Sequence, residues 1–194
     1  MSTTPAGRGH DLPTADGVGV LSRLTPRARE IVQAARELLE RDGPDALSMR
    51  RLADRVGMRA SSIYEHLRDK QALEAALISV GFEEQADLFA NAVRGSDDPL
   101  SALAAAYRDF ARRQPHLYRL MTGRPLRRDL LAAGVEEAAA IPLLRVTGGD
   151  QQLARAIWAF AHGMVILELN HRFPPGADLD TAWRTGLAAF RGPL

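Results

Sequence analysis

Residues 48–70 read SMRRLADRVGMRASSIYEHLRDK, and this stretch decides the fold of the first third of the chain. Apolar side chains recur in both halves of the stretch at the spacing of one helical face. Gly57, between the halves, tolerates the left-handed backbone of a tight turn because it has no Cβ atom. The inward-facing side chains are Leu52, Ala53, Val56, Ile63 and Leu67. The pattern predicts two short helices joined by a tight turn, a helix-turn-helix.

The second of these helices, from about residue 60 to residue 67, leaves small and polar groups on its outer face. The outer side chains are Arg59, Ser61, Ser62, Glu65 and His66, with Tyr64 toward one edge. Such groups can reach base edges and phosphates in the major groove of DNA. A plain helical hairpin with a solvated polar face is the alternative, and residue types alone do not separate the two interpretations.

Lys70 is the only lysine in a chain with 25 Lys and Arg residues. It directly follows Asp69, a good N-cap for a long helix that we expect to run to about residue 93. The N–H groups and the dipole at a helix N-terminus favour an anion, and an ammonium group there adds a compact positive charge. The arrangement predicts a phosphate clamp at Lys70; the alternative is an ordinary surface lysine.

The sequence of residues 48–73, SMRRLADRVGMRASSIYEHLRDKQAL, resembles the DNA-binding domain of TetR-family transcriptional regulators. That family has a glycine turn, then a short helix with Tyr, one residue, His and an apolar residue, then a Lys that opens the next helix. These places are occupied here by Tyr64, His66, Leu67 and Lys70. The resemblance implies phosphate contacts for Tyr64, His66 and Lys70. It implies base contacts for some members of the set Arg59, Ala60, Ser61 and Ser62.

Arg59 departs from the family pattern, which usually has Ser or Thr at this position as the helix cap. An arginine side chain cannot accept the N–H bonds of the first helical turn. Arg59 is therefore expected to reach a guanine bidentately or to bind phosphate, and Ser61 or Ser62 to take over part of the capping. Ser48 is expected to cap the preceding helix and to touch phosphate.

The chain as a whole is predicted to be all-α, with about nine helices, because β-branched residues are sparse and no strand-like alternation occurs. Residues 1–24 are predicted to be a disordered arm, residues 25–70 the DNA-binding head, and residues 71–194 a ligand-binding and dimerisation domain.

The net charge is only +1, so DNA binding must depend on where the charges lie. No apolar run approaches the roughly 20 residues of a membrane span, and the expected location is the cytoplasm, without membrane contact.

The second half of the chain contains a helix, at 150–172, that is apolar nearly all round, and such a helix needs partners on more than one side. The last amphipathic helix, at 179–191, has small residues that allow another helix to approach closely. We expect this pair of helices to form a homodimer interface. The predicted interface residues are Phe160, Val165, Leu179, Ala182, Trp183, Gly186, Leu187 and Phe190.

Residues 156–169, AIWAFAHGMVILEL, resemble a C-terminal domain of some of these regulators that is marked by Trp, three residues and His-Gly. In the broader family this half dimerises and often binds a small molecule. The predicted pocket residues are Tyr107, Phe110, Tyr118, Met121, Trp158 and His162. A pocket of this character suits an apolar or aromatic effector oriented by His162. The alternative for His162 is a hydrogen-bonded core histidine.

Motifs of the common enzyme classes, such as GxxxxGK[ST], GxSxG and HExxH, are absent from the sequence. No metal ligand set with two histidines at i, i+4 occurs, and no cofactor is expected. The sequence thus predicts a ligand-responsive repressor that binds a palindromic DNA operator as a dimer. The alternative is a helical small-molecule-binding or enzymatic bundle without a DNA function.

Overall fold

The computed structural model of the protein describes residues 19–191. Over this range the regular structure is helical throughout, with nine α-helices, short 3-10 turns and no strand. The α-helices are α1 (Pro26–Asp42), α2 (Met49–Val56), α3 (Ala60–Ile63), α4 (Lys70–Val93), α5 (Pro99–Arg113), α6 (Pro115–Thr122), α7 (Val135–Val146), α8 (Gln151–Leu169) and α9 (Leu179–Ala189). The all-α prediction is confirmed. No helix of the described range is long and apolar enough to cross a membrane.

Side-chain caps start three helices of the head, and two of them, Ser48 and Asp69, are the caps that the sequence predicts. Thr25, Ser48 and Asp69 accept backbone N–H bonds at the starts of α1, α2 and α4, at 3.2, 3.3 and 2.8 Å respectively. Each bond satisfies one of the four N–H groups that a helix N-terminus leaves without an intrahelical partner. The boundaries of the head helices are therefore set by local sequence.

The head is formed by α1, α2, α3 and the first turns of α4 around one apolar core. Five side chains with no exposed surface lie at its centre: Ile31, Leu39, Leu52, Ile63 and Leu73. Burying each of them stabilises the fold by about 1.5–3 kcal/mol before the entropic cost of ordering the chain. The outer face of α3 does not contribute to this core.

The body is formed by α4 to α9, and α4 belongs to both parts because it continues from the head into the body. Close packing of α4 on α6 depends on Gly81, since a Cβ atom there would lie 2.6 Å from the Met121 sulfur. The 24 residues of α4 extend about 36 Å at 1.5 Å per residue. This helix therefore runs continuously from the head into the body.

The end of the predicted disordered arm is folded, which corrects the prediction for residues 19–24. Residues 20–23 form a 3-10 turn, and the Val20 N–H lies 2.9 and 3.0 Å from the two carboxylate oxygens of Glu83 on α4. The Val20 side chain is buried. The rest of the predicted arm, residues 1–18, lies outside the described residues.

Candidate functional site

The helix-turn-helix forms, but its second helix is shorter than predicted: α3 ends at Ile63, and residues 64–66 form a turn, where the His66 N–H bonds the Ile63 carbonyl. Gly57 ends α2 in the left-handed region, at φ 66° and ψ 36°. The polar face of α3 and its flanks points to solvent, where Arg59, Ala60, Ser61 and Tyr64 are exposed, and Ser62 and His66 are half-buried. Tyr64 has 51% of its surface exposed, which is unusual for a large ring and gives this face an unpartnered aromatic group.

Arg59 occupies the N-cap position of α3 and makes no side-chain capping bond. The predicted substitution of Ser61 or Ser62 as a cap is not seen: within residues 19–191, neither serine hydroxyl has a hydrogen-bond partner. Both hydroxyls and the Arg59 guanidinium therefore remain available to a ligand on the outer face of α3.

Lys70 is the first residue of α4 and lies 3.6 Å, nitrogen to oxygen, from Glu74 one turn further along. Helix stability does not explain a lysine at this place. A cation at a helix N-terminus opposes the helix dipole, and the order Lys then Glu at i, i+4 is the weaker orientation of such a pair. The half-exposed ammonium group instead adds to an N-terminus that already favours an anion.

The other head arginines divide into two groups. Arg51 and Arg55 pair with the carboxylates of Asp42 and Glu37, so their charge is partly neutralised. The exposed arginines of α2 and α3 that lack a carboxylate partner within the described range are Arg50 and Arg59. These two supply positive charge without a carboxylate partner near the outer face of α3, and Lys70 adds a charge that Glu74 partly neutralises.

In the body, four of the six predicted pocket residues meet in one polar chain. The Tyr107 and Tyr118 hydroxyls are 2.8 Å apart, and the Tyr118 hydroxyl lies 2.8 Å from His162 Nδ1. The Trp158 ring stacks on His162 with centroids 5.8 Å apart. Phe89, which the sequence did not single out, packs against Tyr107 at 5.9 Å. We call these five residues the tyrosine–histidine cluster.

The hydrogen bonds of the cluster form a chain with Tyr118 in the middle. In the bond between Tyr107 and Tyr118 either hydroxyl can donate. Tyr118 donates to His162 Nδ1 when the imidazole carries its proton on Nε2, and accepts from Nδ1 when the proton is there. In both tautomers the Tyr118 hydroxyl links Tyr107 to His162.

Burial favours the uncharged form of each titrating group in the cluster. It raises the pKa of Tyr107 to about 12, raises the pKa of Tyr118 above its ordinary range, and lowers the pKa of His162. All three groups are therefore uncharged near pH 7.

The cluster is a packed core and not an open pocket, which corrects the predicted geometry. Tyr107 and Tyr118 are buried, and the remaining predicted residues, Phe110 and Met121, are buried in the adjoining core. Trp158 alone is half exposed, at 50%, and covers the solvent side. Two surface cavities, of about 650 and 270 Å³, lie elsewhere on the body.

Three of the predicted interface residues lie inside the protomer: Val165, Trp183 and Leu187 are buried. The Trp183 N–H donates to Glu168 Oε1 at 2.5 Å, and Arg108 binds the other Glu168 oxygen at 2.9 Å. Arg108 also lies over the Trp183 ring. The apolar stripe of α9 therefore packs on its own chain, and these three residues are withdrawn from the interface prediction.

Gly186 also serves packing within the chain. A Cβ atom at Gly186 would lie 2.1 Å from the end of the Phe160 ring, so the close approach is to α8 of the same protomer. The outward surface of α8 and α9 contains small and apolar side chains. The exposed ones include Ala156, Ala159 and Leu167, and the half-buried ones include Phe160, Leu179, Ala182 and Phe190.

Two family models match the chain, one for each part. Residues 31–77 match the model described as "Bacterial regulatory proteins, tetR family". Residues 100–190 match the model described as "Tetracyclin repressor-like, C-terminal domain". The uncharacterised HTH-type transcriptional regulator Rv0681 of Mycobacterium tuberculosis is 30% identical over 161 residues, which are 77% of this chain and 74% of that protein.

The chain belongs to the TetR family of transcriptional regulators. This TetR-family protein is a DNA-binding transcriptional regulator, and the alternative of a bundle without a DNA function is not favoured. The tetracycline repressor protein class A from transposon 1721 of Escherichia coli is 33% identical over 90 residues, 46% of this chain and 40% of the repressor. A solved structure of a Rhodococcus sp. RHA1 protein of unknown function is 28% identical, with TM-score 0.68 over 87% of this chain and 94% of that one.

Proposed function

We propose that this TetR-family regulator is a ligand-responsive repressor, located in the cytoplasm, that binds a palindromic operator as a homodimer. In this proposal residues 25–70 form the DNA-binding domain, and residues 71–194 form the ligand-binding and dimerisation domain. The observation that carries the proposal is the exposed, uncapped face of α3 beside Lys70. The relationship to a tetracycline repressor supports the assignment as a repressor.

On DNA, each residue of this surface has a role that follows from its chemistry. Lys70, Tyr64 and His66 bind backbone phosphates at the start of α4 and the end of α3, where Ser48 adds a hydroxyl. Arg59, Ser61 and Ser62 face base edges, and Ala60 provides apolar contact, for example with a thymine methyl group. The phosphate contacts place α3 in the groove, and the residues on its exposed face select the sequence.

The homodimer places two heads on one duplex. We assign the interface to the outward surface of α8 and α9, around Ala156, Ala159 and Ala182, because small side chains there permit close helix packing. Two recognition helices about 34 Å apart, or somewhat more, reach successive major grooves on one side of the duplex. A palindromic operator follows from the two-fold symmetry of such a dimer.

The effector site is assigned to the tyrosine–histidine cluster behind Trp158. An apolar or aromatic molecule that takes the place of the Trp158 ring against His162 would meet an apolar wall with few polar groups, the usual character of a small-molecule site. The hydroxyls and His162 would then orient it. Such a ligand competes for the hydrogen bonds that link Tyr107, Tyr118 and His162, so it alters the packing of α5, α6 and α8.

The test begins by selecting bound duplexes from a random pool with the parent protein. Affinity for the selected duplex is then measured as a function of salt for the parent, for Lys70→Ala, and for Arg94→Ala. Arg94 is exposed and follows α4, about 36 Å along the helix from Lys70, so it is a matched cation away from DNA.

Lys70→Ala is expected to weaken binding to all duplexes by similar factors and to make the slope of log affinity against log salt shallower by about one unit. Arg94→Ala is expected to behave as the parent. A parent protein without salt-dependent duplex binding would contradict the proposed function. An unchanged slope for Lys70→Ala would contradict the phosphate assignment alone.

A further inference from the structure

The first turn of α6 is capped by a residue of a different helix. Gln114, at the N-cap of α6, makes no side-chain capping bond. The Leu117 N–H in that turn instead donates to Glu40 Oε1 of α1, at 2.7 Å. A carboxylate at a helix N-terminus accepts an otherwise unpaired N–H and complements the helix dipole. A residue of the DNA-binding head therefore completes a helix of the body.

Two more contacts join the same pair of helices. Arg36 binds the side chain of Gln114 and lies 2.8 Å from the Glu84 carboxylate of α4. The His116 ring lies against Gly43, where a Cβ atom would be 3.4 Å from the imidazole Cε1. The head residues of these contacts, Arg36, Glu40 and Gly43, are spaced i, i+4 and i+7 and so share one face of the last turns of α1. We call this set of contacts the α1–α6 clasp.

The clasp is one residue away from the tyrosine–histidine cluster. Leu117, whose amide Glu40 holds, precedes Tyr118, whose hydroxyl is the middle link of the polar chain to His162. Both side chains are fully buried, so neither can move far without its neighbours. A rearrangement that displaces the Tyr118 backbone also displaces the Leu117 amide that Glu40 holds.

From this geometry we propose that Glu40 is a positioning residue that links the tyrosine–histidine cluster to the DNA-binding head through α6. The proposal rests on the proposed ligand response and names the path by which the response reaches the DNA surface. The path runs from His162 to Tyr118, then to the α6 first turn, then to Glu40 and α1. Glu84 of α4 also takes part in the clasp, because it accepts from both Arg36 and Gln114, so the path runs beside α4. Because α1 packs on α2 through the head core, a shift of α1 changes how α3 meets the duplex.

A double-mutant cycle tests this path without an identified effector. His162→Ala removes a hydrogen-bond partner of the Tyr118 hydroxyl and so perturbs the cluster end of the path. Glu40→Ala removes the cap at the head end. Affinity for the duplex selected with the parent protein is measured for the parent, for both single variants, and for the double variant.

In the parent background, His162→Ala is expected to change DNA affinity by about 5-fold or more, the lower end of usual allosteric coupling. In the Glu40→Ala background the same change is expected to have an effect of less than about 2-fold, because the path is already interrupted. Glu40→Gln, which keeps an oxygen that can accept from Leu117, should restore at least part of the effect. A residue that only stabilised the fold would not change the effect of His162→Ala.

The control is Glu37→Ala, on the same helix, which removes an equal charge but contacts Arg55 within the head. It should leave the effect of His162→Ala at its parental size. Hydrogen exchange of the Leu117 amide gives a second readout, and it should accelerate about tenfold or more in Glu40→Ala but not in Glu37→Ala.

Independent, multiplicative effects of Glu40→Ala and His162→Ala on DNA affinity would overturn the proposal, and so would an absence of any effect of His162→Ala. Unchanged exchange at Leu117 would overturn the capping role itself. These outcomes leave the proposed repressor function intact if the parent still binds the selected duplex. A parent that binds none overturns both.

Discussion

Replacing Tyr118 by phenylalanine tests the polar chain in the body, because it removes one oxygen and keeps the ring. The Tyr118 hydroxyl makes two hydrogen bonds of 2.8 Å and is buried. Its loss leaves the Tyr107 hydroxyl without its Tyr118 partner at a residue that is 8% exposed, while His162 Nδ1 loses its partner nearer to solvent. Leaving a buried donor unsatisfied costs about 1–3 kcal/mol. We therefore expect the free energy of unfolding to fall by about 1–3 kcal/mol.

The assay is urea unfolding at a fixed protomer concentration, since dimerisation adds to apparent stability. Thermal unfolding should show a midpoint lower by about 2–12 °C, at roughly 2–4 °C per kcal/mol for a chain of this size. Tyr64→Phe is the matched control, because the Tyr64 hydroxyl is on an exposed ring and its loss should change stability by less than about 0.5 kcal/mol. Equal stability changes in the two variants would refute the assigned hydrogen-bond chain.

Three further variants test separate features by unfolding and by sedimentation. Gly186→Ala should lower the free energy of unfolding by about 1 kcal/mol, because displacement of the Phe160 ring outweighs the gain in helix propensity; a more stable variant would contradict the packing. Ala159→Arg should yield monomers in sedimentation and weaken operator binding, whereas an intact dimer would place the interface elsewhere. His162, whose pKa is lowered by burial, binds its proton more readily in the unfolded chain, so stability should fall as the pH drops through about 6.5. His162→Gln should flatten that dependence between about pH 5 and 7, and parallel curves for the two proteins would refute it.

The sequence was sufficient for the head because its signals are local. Ser48, Gly57 and Asp69 act within three or four residues of their own positions, so their residue types fix where α2 ends and where α2 and α4 begin. The departure at Arg59 was also readable, since arginine has no acceptor atom with which to cap a helix. The predicted polar face of α3 is exposed for the same reason: its apolar residues leave only one possible orientation.

The body was less predictable. An apolar stripe on a helix indicates that the face is buried, but it does not indicate whether the face packs on its own protomer or on a second one. Trp183 and Leu187 were assigned to a second subunit, whereas they pack on their own protomer. The apolar stripe of α9 would be the same for packing within the protomer and for packing on a second subunit. The contacts that distinguish the two are those of Trp183 with Glu168 and Arg108, which lie 15 and 75 residues away in the chain.

The α1–α6 clasp gave no sequence signal for a related reason. Glu40 stands in a charged segment at the end of α1 that resembles any solvated helix face, and its partner is 77 residues away. Phe89 was likewise hidden, because α4 is rich in apolar residues and no periodicity separates one of them from the rest. Contacts of this kind arise from the tertiary fold and can be found only once the fold is known.

The presence of a single lysine in the chain, Lys70, has a practical consequence. Since the chain has no other lysine, a reagent selective for primary amines has one side chain to modify, apart from the chain's amino terminus. That side chain is half exposed and stands at the proposed DNA surface. The rate at which it is acylated is therefore a direct report on whether the surface is covered, and it needs no engineered label. Mass spectrometry of one peptide could follow operator binding, release by an effector, and the fraction of protein on DNA in the same sample.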